Sequence, residues 1–225
     1  MKRGKKHLES LKKYDNTLSY ELKQALDLVK SMAYAQFDET VDLSVKVNLK
    51  KSQSVRDTVV LPHQFKAEKR VLVFCKAEKE KEAQEAGAAF VGAEDLIEKI
   101  KGGWLDFDVA VATPDMMKDV GKLGMVLGRR GLMPNPKTGT VTFDLKGALS
   151  ELKKGRVEFR ADKTGVVHLA VGKVSMEPEK IAENIKAVVG EIRRKRPVDA
   201  KGEFVQTVSV ASTMGPGVWV AMKDE

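Results

Sequence analysis

One cysteine, three histidines and no long apolar run set the first limits on this 225-residue chain. Cys75 alone excludes an internal disulfide framework and a multi-thiolate metal site. Inside "RVLVFCK" it reads as a buried strand residue rather than a reactive thiol. His7, His63 and His168 lie far apart and have no metal-type spacing. There is no HExxH, no nucleophile elbow and no Ser-His-Asp order, so catalysis has no visible carrier and neither cofactor nor metal is expected. No run of about 18 apolar residues occurs, which leaves no membrane-spanning helix. The basic start "MKRGKKHLESLKKYDN" is not followed by the apolar core of a signal peptide. A cytoplasmic protein without membrane contact is expected.

What is present is a folded composition, 42% hydrophobic and 32% charged, in a chain long enough for two ordinary domains. The net charge of +8 and a pI near 9.4 point to a polyanionic partner.

Apolar positions at three-to-four spacing over 18–32 predict an amphipathic helix with Thr17 as its N-cap. The alternation Val41, Leu43, Val45, Val47, Leu49 predicts a strand with one buried face. At Lys69 the texture changes: "RVLVFC", a charged helix over 78–86, "GAAFVGAEDLIEKI" and "FDVAVAT" alternate continuous apolar strands with helices. That is the signature of parallel strands covered on both faces. A strand at 140–143 and a helix over 145–154 are expected to close this unit. After Gly155 the texture reverts to two strands joined by the turn Asp162-Lys163-Thr164-Gly165, a helix over 179–194 with Pro178 in its first turn, and strands at 204–210 and 217–220. The economical arrangement is an insertion: 1–67 and 160–225 form a split α+β domain, and 68–159 form an inserted three-layer α/β, Rossmann-like domain.

Charge follows the same division. Residues 1–67 hold 13 Lys and Arg against 8 Asp and Glu, 160–225 hold 11 against 9, and 68–159 hold 16 against 15. Seven of the eight net positive charges therefore fall on the split domain, which makes it the expected polyanion-facing part.

Doubly wound units often bind nucleotides, but "GKLGMVLG" lacks GxGxxG, and no GxxxxGK[ST] occurs. The segment "LGRRGLMPNPKTGTV" reads equally as an ordered surface loop rich in turns or as a second phosphate-touching surface through Arg129, Arg130 and Lys137. The basic end "EIRRKRP" reads as a solvated helix terminus or as a nucleic-acid contact. In "SVASTMGPGVWV" an apolar run stops for Ser212, Thr213, Met214, Gly215 and Pro216. A tight turn with a core methionine is one reading, and a recognition surface is the other.

"FDETVDLSVKV", "VRDTVVLPH", "GAAFVGAEDLIEKI", "GWLDFDVAVATPDMM", "GRRGLMPNPKTGTV", "FRADKTGVVH" and "STMGP", in this order along essentially the whole chain, resemble the bacterial large-subunit ribosomal protein of the L-one (uL-one) family. The resemblance implies a split α+β domain carrying an inserted α/β domain, monomeric when free. It implies binding to the 23S rRNA element of the mobile side stalk near the tRNA exit site, with a role in deacylated tRNA release. It also implies repression of the protein's own operon through an mRNA site that mimics the rRNA. The family's RNA surface maps here onto the helix-to-strand junction Gln36, Phe37, Asp38, Glu39 and Thr40, with Lys46 on the following strand. It continues on Asp162, Lys163, Thr164 and His168, and on Ser212, Thr213, Met214, Gly215 and Pro216. The chain departs from the family pattern at Asp57 and 64–66, where glycine-rich stretches are usual, at Arg129, where proline is expected, and at Ala161, commonly asparagine. A nucleotide-dependent enzyme built on the inserted domain and a non-specific basic nucleic-acid binder are the competing functions. The first rests on fold analogy alone, and the second predicts the same salt slope for unrelated RNAs.

Overall fold

The computed structural model describes residues 4–49, 54–65, 69–197 and 202–222, without the side chains of 77, 78 and 137. The expected boundary after residue 67 and the departure at Lys66 lie outside the described residues. The chain divides into two compact units, Met1–Phe65 with Glu158–Glu225, and Lys66–Val157.

In chain order the first unit opens with α1 (Lys5–Leu11), β1 (Ser19–Tyr20), α2 (Leu22–Met32), β2 (Thr40–Val47) and β3 (Arg56–Val60). The second contains β4 (Val71–Phe74), α3 (Ala77–Glu85), β5 (Phe90–Gly92), α4 (Glu94–Lys101), β6 (Val109–Ala112), α5 (Met117–Val120), α6 (Gly124–Arg130) and α7 (Leu145–Lys153). β7 (Arg156–Arg160) carries the chain back into the first unit, which ends with β8 (Val166–Lys173), α8 (Pro178–Arg194), β9 (Val205–Ser212) and β10 (Gly217–Val220).

The first unit is built on a five-stranded sheet in the order β1-β10-β9-β2-β8. Strict alternation in β2 puts Val41, Leu43, Val45 and Val47, each at most 1% exposed, on one face. α2 and α8 pack on the sheet. Ala25, Leu26, Val29 and Met32 of α2 are buried, as are Ile181, Ile185, Val188, Val189 and Ile192 of α8, recurring at helical spacing. Each of these Leu, Ile, Val and Met side chains contributes about 1.5–3 kcal/mol by leaving water. The opposite positions of β2, namely Thr40, Asp42, Ser44 and Lys46, stay partly exposed.

Four local expectations are corrected. The helix expected from residue 18 begins at Leu22 with Glu21 as N-cap, because Ser19 and Tyr20 are drawn into a parallel ladder with Trp219 and Val220. Thr17 does not cap it: its N–H and Oγ1 donate to Asp15 Oδ1 at 2.9 and 2.7 Å, closing a separate turn. β7 forms a two-stranded sheet with β3 rather than a full hairpin with β8, which it meets only through the bridge between Ala161 and Val167. β9 runs two residues beyond the expected 204–210, so Ser212 is still paired with Val41 in the sheet. Asp57 carries no glycine-like freedom; its carboxylate pairs with Lys195 at the end of α8.

The second unit has three layers. Its parallel sheet, ordered β5-β4-β6, turns Leu72, Phe74, Ala110 and Ala112 to one core, shared with Leu96, Ile97 and Ile100 of α4 and Leu127 of α6. Val71, Val73, Cys75 and Val111 meet the other core, with Ala83 of α3 and Leu145, Leu149 and Leu152 of α7. The chain thus mixes α+β and α/β architecture, as its strand textures predict. Burial pushes the Cys75 thiol up, with the Glu80 charge adding to it, so the thiolate is disfavoured. The strand expected at 140–143 is reduced to one bridge between Val141 and Ala112. The segment expected as a loop after Leu127 is helical through Arg130, and a 3₁₀ turn follows at Pro136–Thr138.

The turn after β7 needs glycine. Gly165 has φ +77°, and a Cβ there would lie 2.7 Å from the Val47 carbonyl oxygen. Gly165→Ala is therefore expected to cost about 1–3 kcal/mol in urea unfolding. An unchanged midpoint would refute this account of the turn.

Candidate nucleic-acid interface

Between α2 and β2 the chain turns at 33–39, and the turn closes around one carboxylate. Glu39 is 1% exposed. Its Oε1 accepts the backbone N–H groups of Tyr34 and Ala35 at 3.0 and 2.8 Å, and its Oε2 accepts that of Met214 at 3.1 Å. Burial pushes the carboxyl pKa up, but the Ala35 N–H, the neighbouring Ser212 hydroxyl and the Met214 and Tyr34 N–H groups together hold it below the ordinary glutamate value. Tyr34 adds a second tie, its hydroxyl donating to the Met214 carbonyl at 2.8 Å.

Thr213 makes the third. Its N–H donates to the Thr40 carbonyl at 3.0 Å, and its Oγ1 accepts the Thr40 N–H at 3.0 Å and donates to the Thr40 carbonyl at 3.2 Å. The hydroxyl has therefore spent its one proton inside the protein and keeps a single acceptor lone pair. A Cβ on Gly215 would sit 2.4 Å from Ser212 Oγ, so this glycine makes room for a buried neighbour.

The ties bring the junction and the β9–β10 turn together, 175 positions apart in the case of Glu39 and Met214. Glu39, Ser212 and Pro216 are buried, and what they leave outside is Gln36, Phe37, Asp38, Thr213 and Met214. Phe37 is 56% and Met214 50% exposed, so Met214 is not a core residue of a tight turn. Asp38 accepts Ser175 N–H and Oγ at 3.1 and 2.8 Å, with Lys173 at 3.6 Å. The Ser175 hydroxyl is the main cause of its lowered pKa.

The Asp162 turn stands apart from this patch. Lys46 donates to the Thr164 carbonyl, and Lys46 pairs with Val166 at the end of β2 opposite Thr40. Six residue steps of strand separate the two ends, roughly 20 Å. Asp162 Oδ1 accepts from the N–H groups of Val166 and Thr164, each at 2.8 Å, and from Thr164 Oγ1 at 2.7 Å, which lowers its pKa. Lys163 and Thr164 are exposed at the tip. His168 sits between the two patches, its Nδ1 3.0 Å from Ser44 Oγ. Arg129 and Arg130 are exposed in the last turn of α6 in the other unit, and the Lys137 side chain lies outside the described residues.

Tyr34, Ser44 and Ser175 escape sequence reasoning. The alternation of β2 was a signal for Ser44, which shares its polar face with Lys46; Tyr34 and Ser175 act through partners remote in sequence and carry no local signal. Among the described residues no three His, Cys, Asp or Glu side chains converge as metal ligands, and no helix is long and apolar enough to cross a membrane.

Glu39→Gln replaces one acceptor oxygen with a donor that faces backbone N–H groups. It is expected to cost about 1–3 kcal/mol in denaturant unfolding, and a loss under 0.5 kcal/mol would contradict the tie. The folded pKa of Glu39 is lowered, so its stabilisation is complete above the unfolded value of about 4.3 and is lost as pH falls through the folded value. Acid titration followed by circular dichroism should show Glu39→Gln less sensitive than the parent protein over that interval.

The model of the ribosomal protein L1p/L10e family matches residues 29–216, which include the junction and the whole β9–β10 turn. The chain is 66% identical over 223 residues to a large ribosomal subunit protein uL1 of Treponema denticola, covering 99% of each. It is 61% identical over 225 residues to that of Treponema pallidum, covering 100% of each, and 59% identical over 217 residues to that of Borrelia duttonii, covering 96% of this chain and 97% of the relative. With a family model across most of its length and full-length relatives at this identity, the chain belongs to the ribosomal protein L1p/L10e family.

Proposed function

We propose that this protein is a structural constituent of the large ribosomal subunit, associated with the ribosome in the cytoplasm, and that it binds the 23S rRNA element of the mobile side stalk. The observation that carries the reading is the exposed pair Phe37 and Met214 beside Thr213, held by the Glu39 ties. Folded RNA is recognised by shape, stacking and 2′-hydroxyl contacts. Phe37 and Met214 supply two apolar surfaces for an exposed base or ribose. Thr213 retains one lone pair for a 2′-hydroxyl that donates. Lys46, Lys163 and the Asp162 turn lie farther along β2, where the lysines neutralise backbone phosphates and add affinity more than selectivity. Gln36, Asp38, Thr164 and His168 frame the path between them.

Repression of the protein's own operon mRNA and assistance to deacylated tRNA release at the exit site follow from the family reading. The first uses the same surface, so rRNA and mRNA should compete; simultaneous binding of both to one protein would remove the repressor role. Stimulation of tRNA release should weaken in ribosomes carrying a Met214→Ala protein, and unchanged release would remove that role. Among the described residues no arrangement of side chains favours an enzyme.

Affinity for a folded stalk fragment and for a scrambled RNA, measured at one salt concentration, tests the main proposal. Phe37→Ala and Met214→Ala are each expected to lose about 1–3 kcal/mol on the stalk fragment and little on the scrambled one. Equal affinity of the parent protein for both RNAs would leave only a non-specific basic binder.

A further inference from the structure

On one face of the first unit's sheet the register places a row of side chains across all five strands. His168 pairs with Ser44, Ser44 with Ser209, Ser209 with Trp219, and Trp219 with Ser19. Four small or polar residues thus accompany one large aromatic ring, and Trp219 is 43% exposed. Its neighbour two residues back, Gly217, has no side chain, and a Cβ there would meet nothing within 4 Å.

α1 and the segment after it form the other wall. Together with Ser209, Gly217 and Trp219, the residues His7, Leu11 and Tyr14 enclose a groove of about 380 Å³, which Gly215 and Pro216 carry on into the turn holding Met214. This wall is fastened in place: Tyr14 hydroxyl donates to the Gly217 carbonyl at 2.9 Å, Lys13 Nζ to the Ser31 carbonyl at 2.8 Å, and Ser10 Oγ to the Met32 carbonyl at 3.3 Å. Lys5, Lys6 and Lys12 are exposed on α1 and the residue that ends it, with Glu9 and Asp15 as the nearby acids.

We propose that this groove receives one unpaired nucleotide of the RNA that lies on Phe37 and Met214, its base against the Trp219 ring and its phosphate toward Lys12 and Lys13 beside the groove wall. The inference rests on the function proposed above. An aromatic face on an open sheet stacks a base of any sequence. Lys12 and Lys13, in the adjoining depression that shares Leu11 and Tyr14 with the groove, supply positive charge for a phosphate, and the groove is continuous with the Met214 turn. A groove of this size holds a small planar group with its polar edge toward His7 and Ser209. The site adds an anchor that neither the junction nor the Asp162 turn supplies.

The chain has two tryptophans, so Trp104→Phe leaves Trp219 as the only one. Titrating that protein with the stalk fragment should quench Trp219 emission in step with binding. In the parent background Trp219→Ala should weaken binding about tenfold, and Trp219→Phe, which keeps a stacking face, less than about threefold. Unchanged affinity of Trp219→Ala together with unchanged Trp219 emission overturns the site. If Met214→Ala still weakens binding in that event, the proposed function stands and only the groove falls. If the parent protein does not prefer the stalk fragment to scrambled RNA, both fall.

Discussion

The junction of α2 and β2 with the β9–β10 turn depends on one buried negative charge. A carboxylate at 1% exposure is costly unless its oxygens are satisfied, and Glu39 meets that condition only when residues 34–35 and residue 214 are all in place. The cost of leaving it unpaired therefore acts as a lock between the chain's early and late parts. Tyr34 and Thr213 reinforce the lock from both sides with neutral bonds. A surface formed this way is stiff before any ligand arrives, so little ordering entropy remains to be lost on binding.

That lock also resolves the interruption in "SVASTMGPGVWV". Each residue there answers a different demand. Ser212 finishes the ladder opposite Val41, Thr213 latches the β2 main chain, Gly215 clears the space that Ser212 Oγ fills, and Pro216 is buried just before the returning strand. Only Met214 is left with no internal task for its side chain. The hydroxyls that look outward in the sequence serve the protein first, and the thioether is what the turn presents.

Much of this architecture was legible because it follows from periodicity. The alternation in β2 fixed which face is buried, and the continuous apolar runs of β4 and β6 announced strands covered on both sides. What stayed hidden were competitions settled by distant partners. The pattern at 18–21 favours helix, but a parallel ladder with Trp219 and Val220 claims Ser19 and Tyr20. Glu39 reads as a surface acid in "FDET", and no local feature reveals that three N–H groups will surround it. The division of the candidate residues into a patch at each end of β2 was equally invisible, since both ends lie on motifs of similar polarity.

The separation of those two ends has a physical consequence for how an RNA is held. Roughly 20 Å of strand lies between the uncharged patch at Thr40 and the lysine-bearing end at Lys46. Charges at the second end are screened by salt over about 8–10 Å, so they attract phosphate without sensing the geometry at the first. In the proposed complex shape is judged at Phe37, Thr213 and Met214, where contact is short-ranged and one misplaced ribose forfeits it. Lys46 is already tied to the Thr164 carbonyl, and of its three donors two remain for a phosphate. An RNA that satisfies only the basic end gains ordinary electrostatic affinity. One that also spans the sheet to reach the locked turn gains a contact that salt weakens far less, and that difference is where selectivity arises.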